Sequence, residues 1–250
     1  MTSKDGEVPG LLQITLIVSD LDETARVLGE AFGLQVAFRD PSVELWGLNN
    51  IVLPMGTTFI EVLAPQPGPK GEASPGARHL ARQGGDAGYM VILQTRGLPD
   101  WKQHVEACGV RIAFEAESRD TKDGQDWAGL HLNPADSGGM MISLDEPDPP
   151  DSWAGAGPDW RDFIVRDVTT GLAGIVLRSA DPEKLAARWG EILRRPIASG
   201  RRIDLDPGWV AFETSEPGQA EGLSRVCLDA TDLSRRGEKV TLGNVVFELV

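Results

Sequence analysis

Tyrosine is all but missing from this sequence: Tyr89 is the single copy, and aromatic residues make up 6% of the 250 positions. Cysteine is scarce too. Cys108 and Cys227, the two in the chain, lie far apart without CxxC spacing. Each falls in an apolar setting at an expected helix end or strand, where cysteine behaves as a small core residue, so reduced thiols and a cytoplasmic location are expected. Basic residues are in deficit, 24 against 38 acidic ones, for a formal charge of −14. Nucleic acid and anionic membrane surfaces repel a net anion, and no basic, aromatic-interleaved patch offsets the repulsion, so neither is an expected partner. No apolar run approaches the roughly 20 residues of a membrane span, and the opening "MTSKDGEVPG" lacks the apolar core of a secretory signal.

Against these absences stands a repeated phrase. Hydrophobic residues supply 41% of the chain and charged ones 25%, enough for a substantial core in one large domain or two ordinary ones. In "GTTFIEVLAPQP", Gly56 is followed at +5 by Glu61 and at +9 by Pro65. Gly138 is followed in the same way by Ser143 and Pro147, Gly208 by Glu213 and Pro217, and Gly243 by Glu248. Four copies in register point to an internal repeat.

The segments before each phrase repeat as well. "LLQITLIVSDLDETARVLGEAFG" reads as a strand over 11–18 and a helix from about Leu21, with Asp20 as N-cap and Gly33 as stop. "GYMVILQTRGLPDWKQHVEACG" gives a strand from Gly88, a helix from about Pro99 and a stop at Gly109. In the third copy Asp181 caps and Pro182 takes the first helical position; "GLSRVCLDATDLSRRG" is a shortened fourth. Two further strands are expected in each of the first two units, over 36–38 with 43–48 and over 111–115 with 129–132. The third unit has shorter strands there, and the fourth passes from its helix almost directly to its last strand. The units therefore read β-α-β-β-β, an α+β fold of repeated modules. Units one and two form a domain over 9–147, and units three and four a smaller, degenerate one over 172–250. Segment 148–171, with "DPPDSWAGAGPDW", reads as a connector packed by its tryptophans.

Two such units enclose a concave cavity between curled sheets, with the helices on the convex side, which suits a small ligand. In "QITLIVSDLD", "WGLNNIVLPMGTTFIEVLAP" and "GLHLNPADSGGMMISLDEP" the chain resembles the vicinal oxygen chelate superfamily, which includes glyoxalase I, methylmalonyl-CoA epimerase, extradiol dioxygenases and bleomycin-resistance proteins. It looks most like glyoxalase-like bacterial members. The resemblance covers 10–147 strongly and 172–250 weakly, and it specifies the fold better than the function.

In metal-binding members, the resemblance implies, each unit supplies one ligand from its first strand and one from its fourth. Seven residues before Asp20 stands Gln13, and the fourth-strand position is Glu61. A divalent cation there would offset the desolvation of that carboxylate. The second unit departs from the pattern. Its first-strand position falls at Tyr89, or at Met90 if the register shifts by one, and its fourth-strand position is Ser143, none of them good ligands for such a metal. In "GLHLNP", strand alternation puts Leu130 and Leu132 on one face and His131 and Asn133 on the other, toward the cavity if the leucines meet the helices. Gln13, Glu61 and His131 then form a candidate site for one divalent metal: Zn, Mn, Fe or Ni. Without metal the same residues bind a polar substrate, with Glu61 or His131 carrying the proton. Asn50, Tyr89, Asn133 and Ser143 are candidate substrate contacts.

Each has a plainer alternative. Glu61 could pair with an arginine at a strand edge, Gln13 could be a satisfied core amide, His131 an ordinary hydrogen-bonded histidine, Tyr89 a packing residue, and Asn49 and Asn50 turn residues. His79 reads as surface and His104 as solvent-facing. In the second domain Glu213 and Glu248 hold the ligand-type position with Gly174 and Arg225 as first-strand partners. An Arg225–Glu248 pair is the simpler account, so that domain is read as structural or dimer-forming. Gly84–Gly85 and Gly138–Gly139 lack the context of a nucleotide site. Two functions stay open. One is a metal-assisted lyase or isomerase, less readily a dioxygenase, acting on a carbonyl or α-proton of a small oxygenated metabolite. The other is a metal-free, non-catalytic binding protein of the bleomycin-resistance type. The resemblance also implies a possible homodimer.

Overall fold

A computed structural model describes residues 8–118, 124–138 and 140–250; Gly139 lies outside the described residues. Strand β1 (Gly10–Ile17) feeds helix α1 (Leu21–Phe32). Asp20 caps the helix through its carboxylate, which accepts the N–H groups of Asp22 and Glu23 at 3.0 Å each. Gly33 ends it in the left-handed region, φ 72°.

The stretch after α1 corrects the expectation of two strands over 36–48. Phe38 makes only a lone bridge to Val52. Pro41–Trp46 winds into a 3₁₀ turn capped by Asp40, and β2 comes later, Leu48–Met55. Proline at the first helical position and Gly47 at the left-handed end favour that turn. Pro54 disguises the strand, since proline cannot donate to a ladder; it is tolerated because β2 is a sheet edge. A tight turn at Gly56 returns the chain as β3 (Thr58–Pro65). Then follow α2 (Pro69–Glu72), α3 (Pro75–Gln83), β4 (Ala87–Gln94), α4 (Leu98–Ala107), β5 (Ile112–Ser118), β6 (Asp126–Leu132), α5 (Pro134–Ser137) and β7 (Met141–Asp148). Helix α4 has no N-terminal side-chain cap of its own. Glu146 of β7 supplies one from outside, accepting the N–H groups of Gly97 and Leu98 at 3.0 and 3.1 Å.

These strands form one seven-stranded sheet in the order β2-β3-β1-β4-β7-β6-β5. The two units join edge to edge through the antiparallel pair β1–β4, and each pairs its first and last strands in parallel. The sheet curls strongly. Trp46, beside one edge, meets Phe114 on the opposite edge strand β5 edge-on at 5.5 Å between centroids. Seven strands laid flat would separate those edges by about 29 Å.

The second sheet begins after 149–168. It contains β8 (Thr169–Ser179), β9 (Arg202–Asp204), β10 (Trp209–Thr214), β11 (Gly222–Ala230), β12 (Lys239–Leu242) and β13 (Val245–Leu249), with α6 (Pro182–Ile192) after β8. Its order is β12-β13-β11-β8-β10-β9. The fourth unit is reduced differently from expectation: its helix shrinks to a 3₁₀ turn, Leu233–Arg235, and a short strand, β12, precedes its last. The helix-bearing faces of both sheets meet in one apolar core, from Ile14, Val62 and Leu93 to Ile175, Val226 and Phe247. Where the fourth helix is missing, α1 covers the gap: Phe32 packs against Phe247 at 6.1 Å. The hollow of the first sheet is therefore on the side away from the second.

Candidate small-molecule site

Glu61 projects from β3 into the hollow. Its neighbours are set by strand pairing, since β1 and β2 flank β3 on either side. One carboxylate oxygen accepts Gln13 Nε2 and Thr15 Oγ1, both at 3.0 Å. The other accepts Asn50 Nδ2 at 2.7 Å. Gln13 and Thr15 share a face of β1 as alternate residues. Asn50 is itself held, its Oδ1 accepting the Asp40 N–H at 2.7 Å. Burial pushes the Glu61 carboxyl up from its ordinary value, opposed by the bonds from Asn50 and Thr15 and reinforced by the Asp40 charge. No arginine pairs with Glu61 among the described residues. Three neutral donors satisfy it instead.

Strand register decides which second-unit residue corresponds to Gln13. Gln13 pairs with Phe59, two before Glu61; Met90 pairs with Met141, two before Ser143. Met90 is therefore the equivalent. Tyr89 sits in an irregularity of the β1–β4 ladder, between residues paired with Thr15 and Leu16. Met90 brings only a thioether, and the neutral Ser143 hydroxyl, a weak ligand, is donated to Asp145.

The remaining ligand set does not fit a metal either. The Gln13 amide nitrogen donates to Glu61, and its oxygen, the atom that would ligate, accepts the Trp153 indole N–H at 2.7 Å. His131 stands on β6, with β4 and β7 between it and β1, and packs against Phe114. Among the described residues it makes no hydrogen bond to Gln13 or Glu61, whose partners are one another, Thr15, Asn50 and Trp153. Among the described residues no group of three or more His, Cys, Asp or Glu is placed to hold a metal ion.

On the second half of the sheet, Leu130 and Leu132 join the core and His131 faces the other way, half-buried against Phe114 at 5.6 Å. Desolvation alone lowers its pKa to about 4, so the ring is neutral near pH 7. Asn133 corrects the alternation argument: β6 ends at Leu132, and the Asn133 side chain caps α5 by accepting the Ala135 N–H at 3.0 Å. Ser143 is fully buried and donates its hydroxyl to Asp145, so it is closed to a ligand. Asp145, buried beside Gly129, has its carboxyl pushed up to about 7 by desolvation. The sequence reading missed it, although it lies two residues beyond Ser143 and therefore on the same face.

Two lids narrow the hollow. The segment after β7 inserts Trp153 and Trp160 among Leu12, Val52, Phe59 and Ile92. Trp153 spans the hollow, its ring 6.3 Å from Phe59 on one wall and 6.2 Å from Trp127 on the other. At the far end α3 covers Ile17 and Leu63 with Leu80. His79 is thereby buried, not at the surface as expected, its Nε2 2.9 Å from the Gly88 carbonyl and its ring edge-on to Tyr89 at 5.2 Å. Between the lids Glu61, Tyr89, Trp127, His131 and Met141 stay partly exposed. His104 is half-buried, against the Glu191 carbonyl at 3.0 Å. In the second sheet Arg225 lies 3.3 Å from Glu248 and 3.8 Å from Glu213; register makes Val176, not Gly174, the partner position of Glu213.

The profile of a family described as a glyoxalase-like domain matches residues 14–193. No curated protein matches the sequence. A hypothetical protein from Staphylococcus aureus superposes over 97% of this chain and 99% of its own with a TM-score of 0.71 at 11% identity. A triple mutant of 4-hydroxymandelate synthase from Streptomyces coelicolor superposes over 91% of this chain and 72% of its own, with a TM-score of 0.67 at 15% identity. Methylmalonyl-CoA epimerase from Mycobacterium tuberculosis covers 59% of this chain and 93% of its own, with a TM-score of 0.47 at 23% identity. At such identities the two longer superpositions speak for the fold alone.

Proposed function

Since the chain belongs to the glyoxalase-like domain family of the vicinal oxygen chelate superfamily, we propose that the hollow of its first sheet takes a small oxygenated metabolite and moves a proton on it, without a metal held by Gln13, Glu61 and His131. The observation that carries this reading is the Glu61 carboxylate: half-buried, raised by desolvation, and fixed by the neutral donors Gln13, Thr15 and Asn50. A base that takes a proton from carbon needs a fixed direction and a raised pKa, and this arrangement supplies both. Gln13, Thr15 and Asn50 are positioning residues. Tyr89, kept in its neutral donor form by burial and close enough to feel the Glu61 charge, donates to the carbonyl oxygen as negative charge develops on it. The reaction class is proton abstraction next to a carbonyl, as in an isomerase or lyase.

The Trp153–Gln13 bond favours a second reading, a non-catalytic binder, because it closes part of the hollow. One experiment separates the two. Small oxo- and hydroxy-acids are screened by thermal shift with and without chelator, and the α-proton signal of each hit is followed in D₂O by NMR. Proton transfer predicts exchange that falls about 100-fold or more in Glu61→Gln while the thermal shift persists, both insensitive to chelator. Ligands that stabilise but never exchange support the binder. Stoichiometric Zn, Mn, Fe or Ni that is lost in Gln13→Ala overturns the metal-free reading.

A further inference from the structure

A second cleft lies where the C-terminal end of α3 meets the second sheet. It measures about 630 Å³, and its lining includes Arg82 and Gln83 of α3, Arg178 of β8, and Gln219, Thr241 and Asn244. Among the described residues no acidic one lines it, in a chain that carries 38 of them. By contrast, the lining of a cleft of about 440 Å³ at the start of α1 sets four acids, Asp20, Asp22, Asp40 and Glu44, against one arginine, Arg39.

Many arginines of this molecule are neutralised locally. Arg26, Arg111, Arg194, Arg201 and Arg235 all pair with carboxylates. Among the described residues no carboxylate lies within ion-pair distance of Arg178 or Arg82. Arg178 is half-buried, and its Nε and Nη2 donate to the Ala220 and Asn244 carbonyls, both at 2.8 Å. Those carbonyls fix the plane of the guanidinium but bring no net charge to neutralise it. Arg82 is exposed, with Nη2 3.5 Å from the His79 ring. The nearest acids are engaged elsewhere: Asp181 accepts the Lys184 N–H at 3.0 Å, Asp86 accepts Ser19 N and Oγ at 2.8 and 3.0 Å, and Glu213, opposite Arg178 on β10, lies 3.8 Å from Arg225.

We propose that this cleft binds a small organic anion bearing a phosphate or a pair of carboxylates. Arg178 is the fixed fork and Arg82 the mobile second charge. A guanidinium presents parallel donors that match either group, and one already held in place loses little freedom when the anion arrives.

The test is calorimetric titration of the full chain, at low salt, with inorganic phosphate and separately with succinate. The expected result is saturable binding of at least one probe at one site per chain. Arg82→Ala and Arg178→Lys should each weaken it about tenfold, added salt should weaken it further, and Glu61→Gln should leave it unchanged. Binding of phosphate alone identifies a phosphoryl ligand, and of succinate alone a dicarboxylate. Arg82 is exposed, so Arg82→Ala keeps the fold and decides the matter even if Arg178→Lys melts early. No saturable heat with either probe, or binding that Arg82→Ala leaves undiminished, overturns the proposal.

Discussion

Burial disfavours charge on both Asp145 and His131, and because one is an acid and the other a base their shifts oppose. Asp145 rises from 3.8 to about 7 and His131 falls from 6.5 to about 4. As pH falls from 7 toward 4, folded Asp145 takes up its proton before the unfolded chain does, which adds stability. Between pH 6.5 and 4 the unfolded chain protonates His131 while the folded protein does not, which removes stability. The two slopes run against each other and largely cancel. Asp145→Asn removes only the first. That variant is expected to be more stable than the parent above pH 7, by up to roughly 4 kcal/mol, and to lose stability between pH 6.5 and 4 far more steeply. Urea denaturation at one-unit pH intervals measures both. Curves for Asp145→Asn that parallel the parent at every pH would mean that Asp145 holds no displaced proton.

The glycine that opens each repeated phrase works at the level of the element. Gly56, Gly138, Gly208 and Gly243 all have positive φ, 60°, 92°, 95° and 55°, so each turns the chain into its unit's last strand where other residues are strained. Position 56 carries a further demand, because a Cβ there would overlap the Thr170 carbonyl oxygen in β8. Gly84 has similar φ, 70°, but open space around it. Gly84→Ala is therefore expected to cost about 1 kcal/mol, and Gly56→Ala about 2 kcal/mol more because strand backbone must move. Equal losses in urea melts would remove the close approach from the account. A turn that only glycine tolerates leaves its mark in sequence, which is why the repeat, the caps at Asp20 and Asp181 and the cavity-facing Glu61 could be read there. Pro54 hid β2, and Asn133 left its strand for a helix cap. Nothing in residue spacing shows that Trp153 takes the oxygen of Gln13, because that contact joins positions 140 apart.

At the scale of the whole molecule the two sheets, built from 10–148 and 169–249, share one core. Alternation along a strand tells which of its residues are buried, but not what buries them. Leu223 of the second sheet lies where a Cβ on Gly88 of the first would stand, and Leu172 N donates to Thr58 Oγ1 at 2.9 Å. Phe32 of α1 stands in for the helix that the fourth unit lacks. One apolar cluster runs through both sheets, so neither can melt without stripping the other of its cover. The chain is therefore expected to unfold in a single transition, with calorimetric and van't Hoff enthalpies equal, although chains of this length often unfold in stages. A chain ended after Asp148 would expose the face carrying Ile14, Phe32 and Leu93 to water, and is expected to bind a hydrophobic dye and to melt without a cooperative step. Two resolved transitions, or a cooperative melt of the shortened chain, would mean that the first sheet carries a sufficient core of its own and that the back-to-back packing is dispensable to the hollow.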